Sequence, residues 1–332
     1  METQRRNCAI CGKRTNDFNY GVDCCNACKS FYRRAKTSTK FPTECSSPGH
    51  CPGCRFCRFQ RCLEAGIRHE VLALPRQTAP TVFTTIDFLN NLDNHRKQQF
   101  LNFIPIGNLN MNQIIESNTV ALIRKPDNHQ SSTHEWIMTN HITNINFLKS
   151  FQFFNQLSNS EQSQFVTQSH IPLSMLCTAM RSYSNRRQIN EYPGGFDIFS
   201  NELKDFYRRC PEVLNKCRGQ VLKKLWEVTI TNEEFLLLCA IIVCNGVSPK
   251  FSQDARTYIN KHQQEYTSYF TKYCQSTYQQ NWPARFSEIL NVCHTIGKAF
   301  GDLKKVIVPF QLSQPKFEDA KVLGDSLKSV MK

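Results

Sequence analysis

Apolar residues recur along most of this chain with the period of a helix. From Thr133 onward, Trp136, Ile137, His141, Ile145 and Leu148 trace one face, and residues 154–157 continue it. Ser158-x-x-Glu161 has the spacing of a capping box and opens the next helix. Ile171-Pro172 is expected to divide that run from residues 173–183, because proline removes a helical hydrogen bond. Leu203, Phe206, Cys210, Leu214, Cys217, Val221 and Leu225 step by 3 or 4 and predict one amphipathic helix. Thr231-x-x-Glu234 then caps residues 235–244, which are apolar all round and predict a central, enclosed helix. A long helix follows through Ala255, Ile259, His262, Tyr266, Phe270 and Cys274, with His262 read as a core histidine. Pro283 suits the first turn of another, carrying Phe286, Ile289, Cys293, Ile296 and Phe300. Pro309 and Pro315 are expected to end it, and residues 317–331 to form one last helix. Pro193-Gly194-Gly195 is the one good turn between β-formers, so any sheet is small. Residues 131–332 thus predict an all-α helical sandwich able to enclose a pocket.

The pattern weakens upstream. Residues 75–85 mix proline with threonine and fit no helix of length, and residues 86–130 alternate Asn-rich stretches with short apolar runs. Residues 76–130 are therefore assigned to a hinge, holding one or two loosely docked helices or a partly disordered segment. Residues 5–75 read as a separate small domain. There, residues 26–36 predict a helix with Phe31, Tyr32 and Ala35 on one flank and Lys29, Arg33 and Lys36 on another. A second helix places Phe56, Phe59 and Leu63, with Cys62, on one face, has Gly66 as its stop, and should pack on Phe31 and Tyr32.

Composition narrows the classes. With 40% hydrophobic and 20% charged residues the 332-residue chain is globular rather than disordered. The longest apolar stretch, residues 235–243, is far too short to span a bilayer, and residues 1–8 lack the apolar core of a signal peptide. The chain is expected to be soluble and made in a reducing compartment, where clustered cysteines bind metal rather than pair as disulfides. Formal charge is +14, and the first 76 residues hold 14 Lys and Arg against 6 Asp and Glu. Affinity for a polyanion then depends on where those bases point. No nucleophile elbow, phosphate loop, His-Glu-x-x-His or apolar carboxylate pair is present, so an enzyme is not expected.

Ten of the 17 cysteines fall between Cys8 and Cys62. Cys8-x2-Cys11-x13-Cys25-x2-Cys28 supplies four thiolates as two close pairs, the donor set of a tetrahedral structural Zn²⁺ site. Cys24 competes with Cys25, and the spacing to Cys28 favours Cys25. The second set is Cys45-x5-Cys51-x2-Cys54-x2-Cys57, with Cys62 read as core and His50 as a loop residue. Two zinc ions are expected. Metal at Cys25 and Cys28 pins the first turn of the basic helix, so Asn26, Lys29, Ser30 and Arg33 project rigidly toward base edges and Arg34 toward phosphate.

These residues carry a resemblance. Cys8-x2-Cys11, Tyr20-Gly21-Val22, Cys25-Asn-Ala-Cys28-Lys-Ser-Phe-Tyr-Arg-Arg and Cys54-x2-Cys57-Arg-Phe-Gln-Arg-Cys62-Leu-Glu-Ala-Gly66 resemble the two-zinc DNA-binding domain of nuclear hormone receptors, most closely the expanded nematode branch. The resemblance implies a recognition helix starting at the third ligand, with Asn26, Ala27 and Ser30 setting specificity. It further implies base contacts from Lys29 and Arg33, and backbone contacts from Tyr20, Arg34, Arg58 and Arg61. This chain has Asn19 where the family usually has histidine, and only Pro52-Gly53 between Cys51 and Cys54, where about nine residues are usual. Phe151-x-x-Phe154-x-x-Leu157, Glu161-Gln162, Glu233-Glu234-Phe-Leu-Leu-Leu and Arg285-Phe-x-x-Ile-Leu resemble the family's ligand-binding domain. By position, Lys149 becomes the lysine of a coactivator clamp, and residues 322–327 are the nearest fit to its acidic partner helix.

The implied protein is a zinc-dependent, sequence-specific transcription factor in the nucleus. Its partners would be double-stranded DNA, a hydrophobic small ligand, coregulators, and another copy or relative in a homo- or heterodimer. Two alternatives stay open. One is a receptor-like factor without ligand, constitutive or repressive. The other, from a different class, is a zinc module of an adaptor or ubiquitin ligase that binds protein.

Overall fold

In the computed structural model, residues 6–15, 18–19, 22–37, 45, 51, 53–65, 81–107, 109–116, 122–126, 128–246, 250–313 and 325 are described. The chain divides into two units, Met1–Ala79 and Pro80–Lys332.

The first unit begins with β1 (Arg6–Asn7) paired antiparallel to β2 (Arg14–Thr15), with Arg6 opposite Thr15. Their turn closes through Cys8 N–H to the Lys13 carbonyl at 2.8 Å and Gly12 N–H to the Cys8 carbonyl at 2.8 Å. Gly12 has φ +69°, the left-handed region that suits a residue without Cβ. β3 (Phe18–Asn19) pairs with β4 (Val22–Asp23), which leads into α1 (Asn26–Thr37). α2 (Arg55–Glu64) starts at Cys54, whose sulfur accepts from the Cys57 N–H at 3.2 Å. The two helices meet through their aromatic residues as the pattern predicts: Tyr32 stacks on Phe59 with centroids 5.6 Å apart. One detail differs. Cys62 is fully buried on that face as expected, but Leu63 is exposed, because the face of Phe59 returns at i+3.

The second unit is helical. α3 (Val82–Asn102) runs into β5 (Phe103–Pro105), followed by the short α4 (Met111–Glu116) and β6 (Leu122–Arg124), which pairs with β5. Then come α5 (Thr133–Lys149), a 3₁₀ turn over Gln152–Gln156, α6 (Asn159–Ser184), the hairpin β7 (Glu191–Tyr192) and β8 (Phe196–Asp197), and α7 (Asn201–Phe206). α8 (Pro211–Val228), α9 (Asn232–Cys244), α10 (Gln253–Tyr278) and α11 (Trp282–Ser313) complete it. α9 is the expected central helix: every residue from Glu234 to Cys244 is buried, and it packs on α10, α6, α3 and α11. Gly194 and Gly195, at φ +82° and +80°, form the turn of the β7–β8 hairpin.

Four expectations are corrected. Much of the hinge assigned to residues 76–130 is packed structure: α3 is capped by Thr81, spans 21 residues and buries Leu89, Asp93, Arg96 and Phe100. Its charges are satisfied locally, since Arg96 Nε donates to Asp93 Oδ1 at 2.9 Å and Lys97 Nζ lies 2.7 Å from Asp93 Oδ2. Burial opposes the Asp93 carboxylate, but the adjacent Arg96 and Lys97 outweigh it and hold the group below its ordinary range. Pro172 lies inside α6, which continues through it because Ile171 and Leu173 are both buried. Pro309 likewise lies inside α11, where Tyr207 donates to the Val306 carbonyl at 2.8 Å. Conversely, the single helix expected through Leu203 and Leu225 is broken at Pro211, which starts α8 and holds Cys210 at φ −139° outside the helical region. Except for Asp325, the last helix expected over residues 317–331 lies outside the described residues.

The buried end of α9 is closed by one carboxylate. Glu234 is fully buried, and Arg285 reaches it twice, Nε to Oε1 and Nη2 to Oε2, both at 2.7 Å. Tyr278 adds 2.9 Å to Oε1, and Arg285 Nη1 bonds the Val228 carbonyl at 2.6 Å. Replacing Arg285 by Ala leaves that buried charge without its cation, a loss of about 3–5 kcal/mol. The thermal midpoint of the second unit should fall sharply, and an unchanged midpoint would show that the pair is not a structural tie.

Candidate metal centre and nucleic-acid interface

The knuckle between β1 and β2 carries Cys8 and Cys11, and the entry to α1 carries Cys25 and Cys28. Their four sulfurs all lie within 4.8 Å of one another. Cys11 Sγ and Cys25 Sγ are 3.8 Å apart, the edge of a tetrahedron with metal–sulfur bonds of about 2.3 Å. The Cys25 N–H points at Cys8 Sγ over 3.4 Å. Burial alone would raise the Cys8 thiol, but backbone amides of Cys25, Cys11 and Ile10 overcome it and bring the group down to about 6. Neighbouring Cys24 differs. It is fully buried, and burial pushes its thiol up to about 12, as it pushes Cys62 up to about 11. Burial raises the Cys11 and Cys28 thiols as well, so it is the convergence of four sulfurs, not acidity, that separates the cluster from Cys24 and Cys62.

The second group forms at the start of α2. Sulfurs of Cys45, Cys54 and Cys57 lie within 4.8 Å of one another, with Cys54 and Cys45 3.7 Å apart. The Cys57 amide leads the interactions that lower Cys54 to about 7. Cys51 stands beside this group, its thiol against Cys54 and its backbone against Cys57. The first donor set fits Zn²⁺ in spacing and in chemistry, and the second brings three sulfurs together with Cys51 outside that 4.8 Å group. Zinc held by four thiolates would supply a structural cross-link.

α1 leaves the first cluster with its basic side outward. Asn26, Ala27, Arg33 and Arg34 are exposed, Lys29 and Ser30 half-buried, and Tyr32 and Ala35 buried. Arg34 Nε also donates to the Ser30 carbonyl at 3.2 Å, one turn back. Arg58, expected on the DNA backbone, turns inward. Its Nη2 donates to Cys28 Sγ at 3.2 Å, and its guanidinium sits 4.5 Å over the Phe31 ring. This tie between α2 and a ligand sulfur of the first cluster has no signature in residue spacing, since spacing shows which residues share a face but not which long side chain bends inward. Arg61 is half-buried on the same helix. Tyr20 and residues 46–50, with His50, lie outside the described residues. Lys149 is far along the chain at the end of α5, half-buried, and its Nζ donates to the Ile114 carbonyl at 2.7 Å.

A metal-braced basic helix in one unit and a helical sandwich in the other define a DNA-binding regulator with an attached sensor-type domain. Residues 6–69 match the double treble clef zinc finger of C4 type, and residues 124–308 the ligand-binding domain of nuclear hormone receptors. Nuclear hormone receptor family member nhr-27 of Caenorhabditis elegans is 32% identical over 339 residues, covering 99% of this chain and 94% of that protein. Member nhr-167 of the same organism is 30% identical over 342 residues, covering 100% of both. This chain belongs to the nuclear hormone receptor family, in its nematode form, and is a zinc-dependent, DNA-binding transcription factor. Among the described residues no helix is long and apolar enough to cross a membrane.

Two measurements check the metal centre. By native mass spectrometry, Cys25→Ala should carry one zinc ion fewer than wild type while Cys24→Ala keeps two; the reverse would exchange their roles. Chelation should abolish the secondary structure of the small first unit and leave the melt of the second intact, since only the latter has a core large enough to stand alone. A single joint melting transition would contradict this.

Proposed function

We propose that α1 lies in the major groove and reads sequence through Asn26, Ala27, Lys29, Ser30 and Arg33, while Arg34, Arg61 and Tyr20 hold the backbone. The exposure of Asn26, Ala27, Arg33 and Arg34 directly beside the Cys25–Cys28 pair carries this reading. A helix whose first turn is fixed by metal presents its side chains from an ordered backbone, so less conformational entropy is lost on binding. Arg58 acts differently in this proposal. It braces the first cluster from α2 and positions α1 rather than gripping phosphate.

The ligand assignment is Cys8, Cys11, Cys25 and Cys28 for one ion and Cys45, Cys51, Cys54 and Cys57 for the other. Residues 5–75 form the DNA reader, and the protein acts in the nucleus without a catalytic role. The helical unit takes a hydrophobic small molecule and coregulators, with Lys149 at the coregulator surface. Homo- or heterodimers form on DNA. The family's two matched domains support these assignments.

Sites selected from random DNA by residues 1–80 give the probe. Lys29→Ala and Arg33→Ala in the full chain should each weaken binding to that site by about ten- to a hundredfold, at about 1–3 kcal/mol per base contact, with zinc content unchanged. Wild-type affinity in both variants would remove α1 from the groove.

A further inference from the structure

α4 is six residues long, too short to persist alone in water. Something outside it must hold it in place. Met111, Ile114 and Ile115 are buried on α5 and α6, whereas Asn112, Gln113 and Glu116 face outward. The buried set has the apolar-x-x-apolar-apolar spacing by which a short amphipathic helix fills a groove.

Both ends are held by charges from distant parts of the chain. Asp325 Oδ2 accepts the Met111 N–H at 3.0 Å across 214 residues, and Lys149 Nζ donates to the Ile114 carbonyl at 2.7 Å across 35. An anion at the N-terminus and a cation at the C-terminus satisfy otherwise orphaned backbone groups and oppose the helix dipole. The same two groups could cap any helix of this length, because both of these hydrogen bonds go to backbone atoms. Two side-chain contacts add to these, Ser163 donating to Asn112 Oδ1 at 3.0 Å and Thr167 lying 3.7 Å from the Met111 sulfur, and within the segment Asn110 and Gln113 cap each other at 2.9 and 2.8 Å.

We propose that residues 109–116 are an internal occupant of a docking groove on α5 and α6, clamped by Lys149 and Asp325, and that they compete there with partner helices of the same spacing. This rests on the coregulator role proposed for the Lys149 surface and deepens it. The docking site is self-blocked, and a partner must displace the chain's own helix. The apparent affinity for a partner is reduced by the fraction of molecules in which the groove is open.

A fluorescein-labelled peptide of residues 107–119 is the probe, read by fluorescence anisotropy on the full zinc-loaded chain. Two opened chains are compared with wild type: Ile114→Ser with Ile115→Ser, and a chain with residues 109–116 replaced by eight Gly and Ser residues. Both should bind the peptide at least about tenfold more tightly than wild type. Adding Lys149→Ala to either should remove that gain. Equal affinity for opened and wild-type chains overturns the proposal. So does loss of the cooperative melt in both opened chains, which would make the segment an integral part of the core. A Leu-x-x-Leu-Leu peptide separates the two readings. If it fails on an opened chain that accepts the 107–119 peptide, the coregulator role falls and the internal occupant stands.

Discussion

Enclosing α9 obliges the protein to neutralise Glu234. The helix is apolar from Phe235 to Cys244, and burying it supplies the core of the second unit, but the capping box that starts it brings a carboxylate into the same interior. Four donors meet that carboxylate: the Thr231 amide, the Tyr278 hydroxyl and two guanidinium nitrogens of Arg285. They come from the cap of α9, the end of α10 and the start of α11, and Arg285 also reaches the carbonyls of Val228 and Thr229 at the end of α8. One buried charge therefore fixes where four helices meet. Hydrophobic burial is nondirectional, so this polar junction is what aligns them.

The first unit solves the opposite problem. Its core is a handful of residues, chiefly Cys8, Ile10, Cys24, Cys28, Tyr32 and Cys62. Such a core is too small to offset chain entropy by itself, and thiolate–metal bonds provide the cross-links. Metal position and helix orientation are thereby one constraint. The Cys25–Cys28 pair that closes the first site also sets the direction of α1, and with it the direction of the residues proposed to meet DNA. Arg58 extends the constraint to α2 by spending its charge on Cys28 instead of on a phosphate.

α5 shows how tertiary context overrides pattern. Its middle turns carry Thr139, Asn140, Thr143 and Asn144, which read as a polar flank, yet all four are buried. Three of them are paired inside: Thr139 and Thr143 donate to carbonyls one turn back at 2.7 and 2.8 Å, and Asn140 donates to Ser174 at 2.6 Å, while Asn144 donates to the Asn140 carbonyl at 2.7 Å and leaves its Oδ1 without a partner among the described residues. Arg181 adds a contact of 3.1 Å to the Asn140 side chain. α3 is the same case with charges, since Asp93 and Arg96 are buried within the Asn-rich stretch assigned to the hinge. A polar residue is legible as exposed only when nothing nearby can pair with it.

By itself the sequence determined the elements whose cause is local. Paired cysteines at x2 spacing supply a local chelating donor set, capping boxes start helices at Ser158 and Thr231, and an all-apolar run must be enclosed. The family motifs lie in those same stretches. Only the tertiary structure decided what depends on distant partners: α6 and α11 running through Pro172 and Pro309, the inward turn of Arg58, the burial of α3, and the seating of α4 between Lys149 and Asp325. In each, the deciding contact joins residues far apart in the chain or opposes a local preference. Side-chain periodicity carries no record of such contacts, because it reports which residues share a face and not what the face meets.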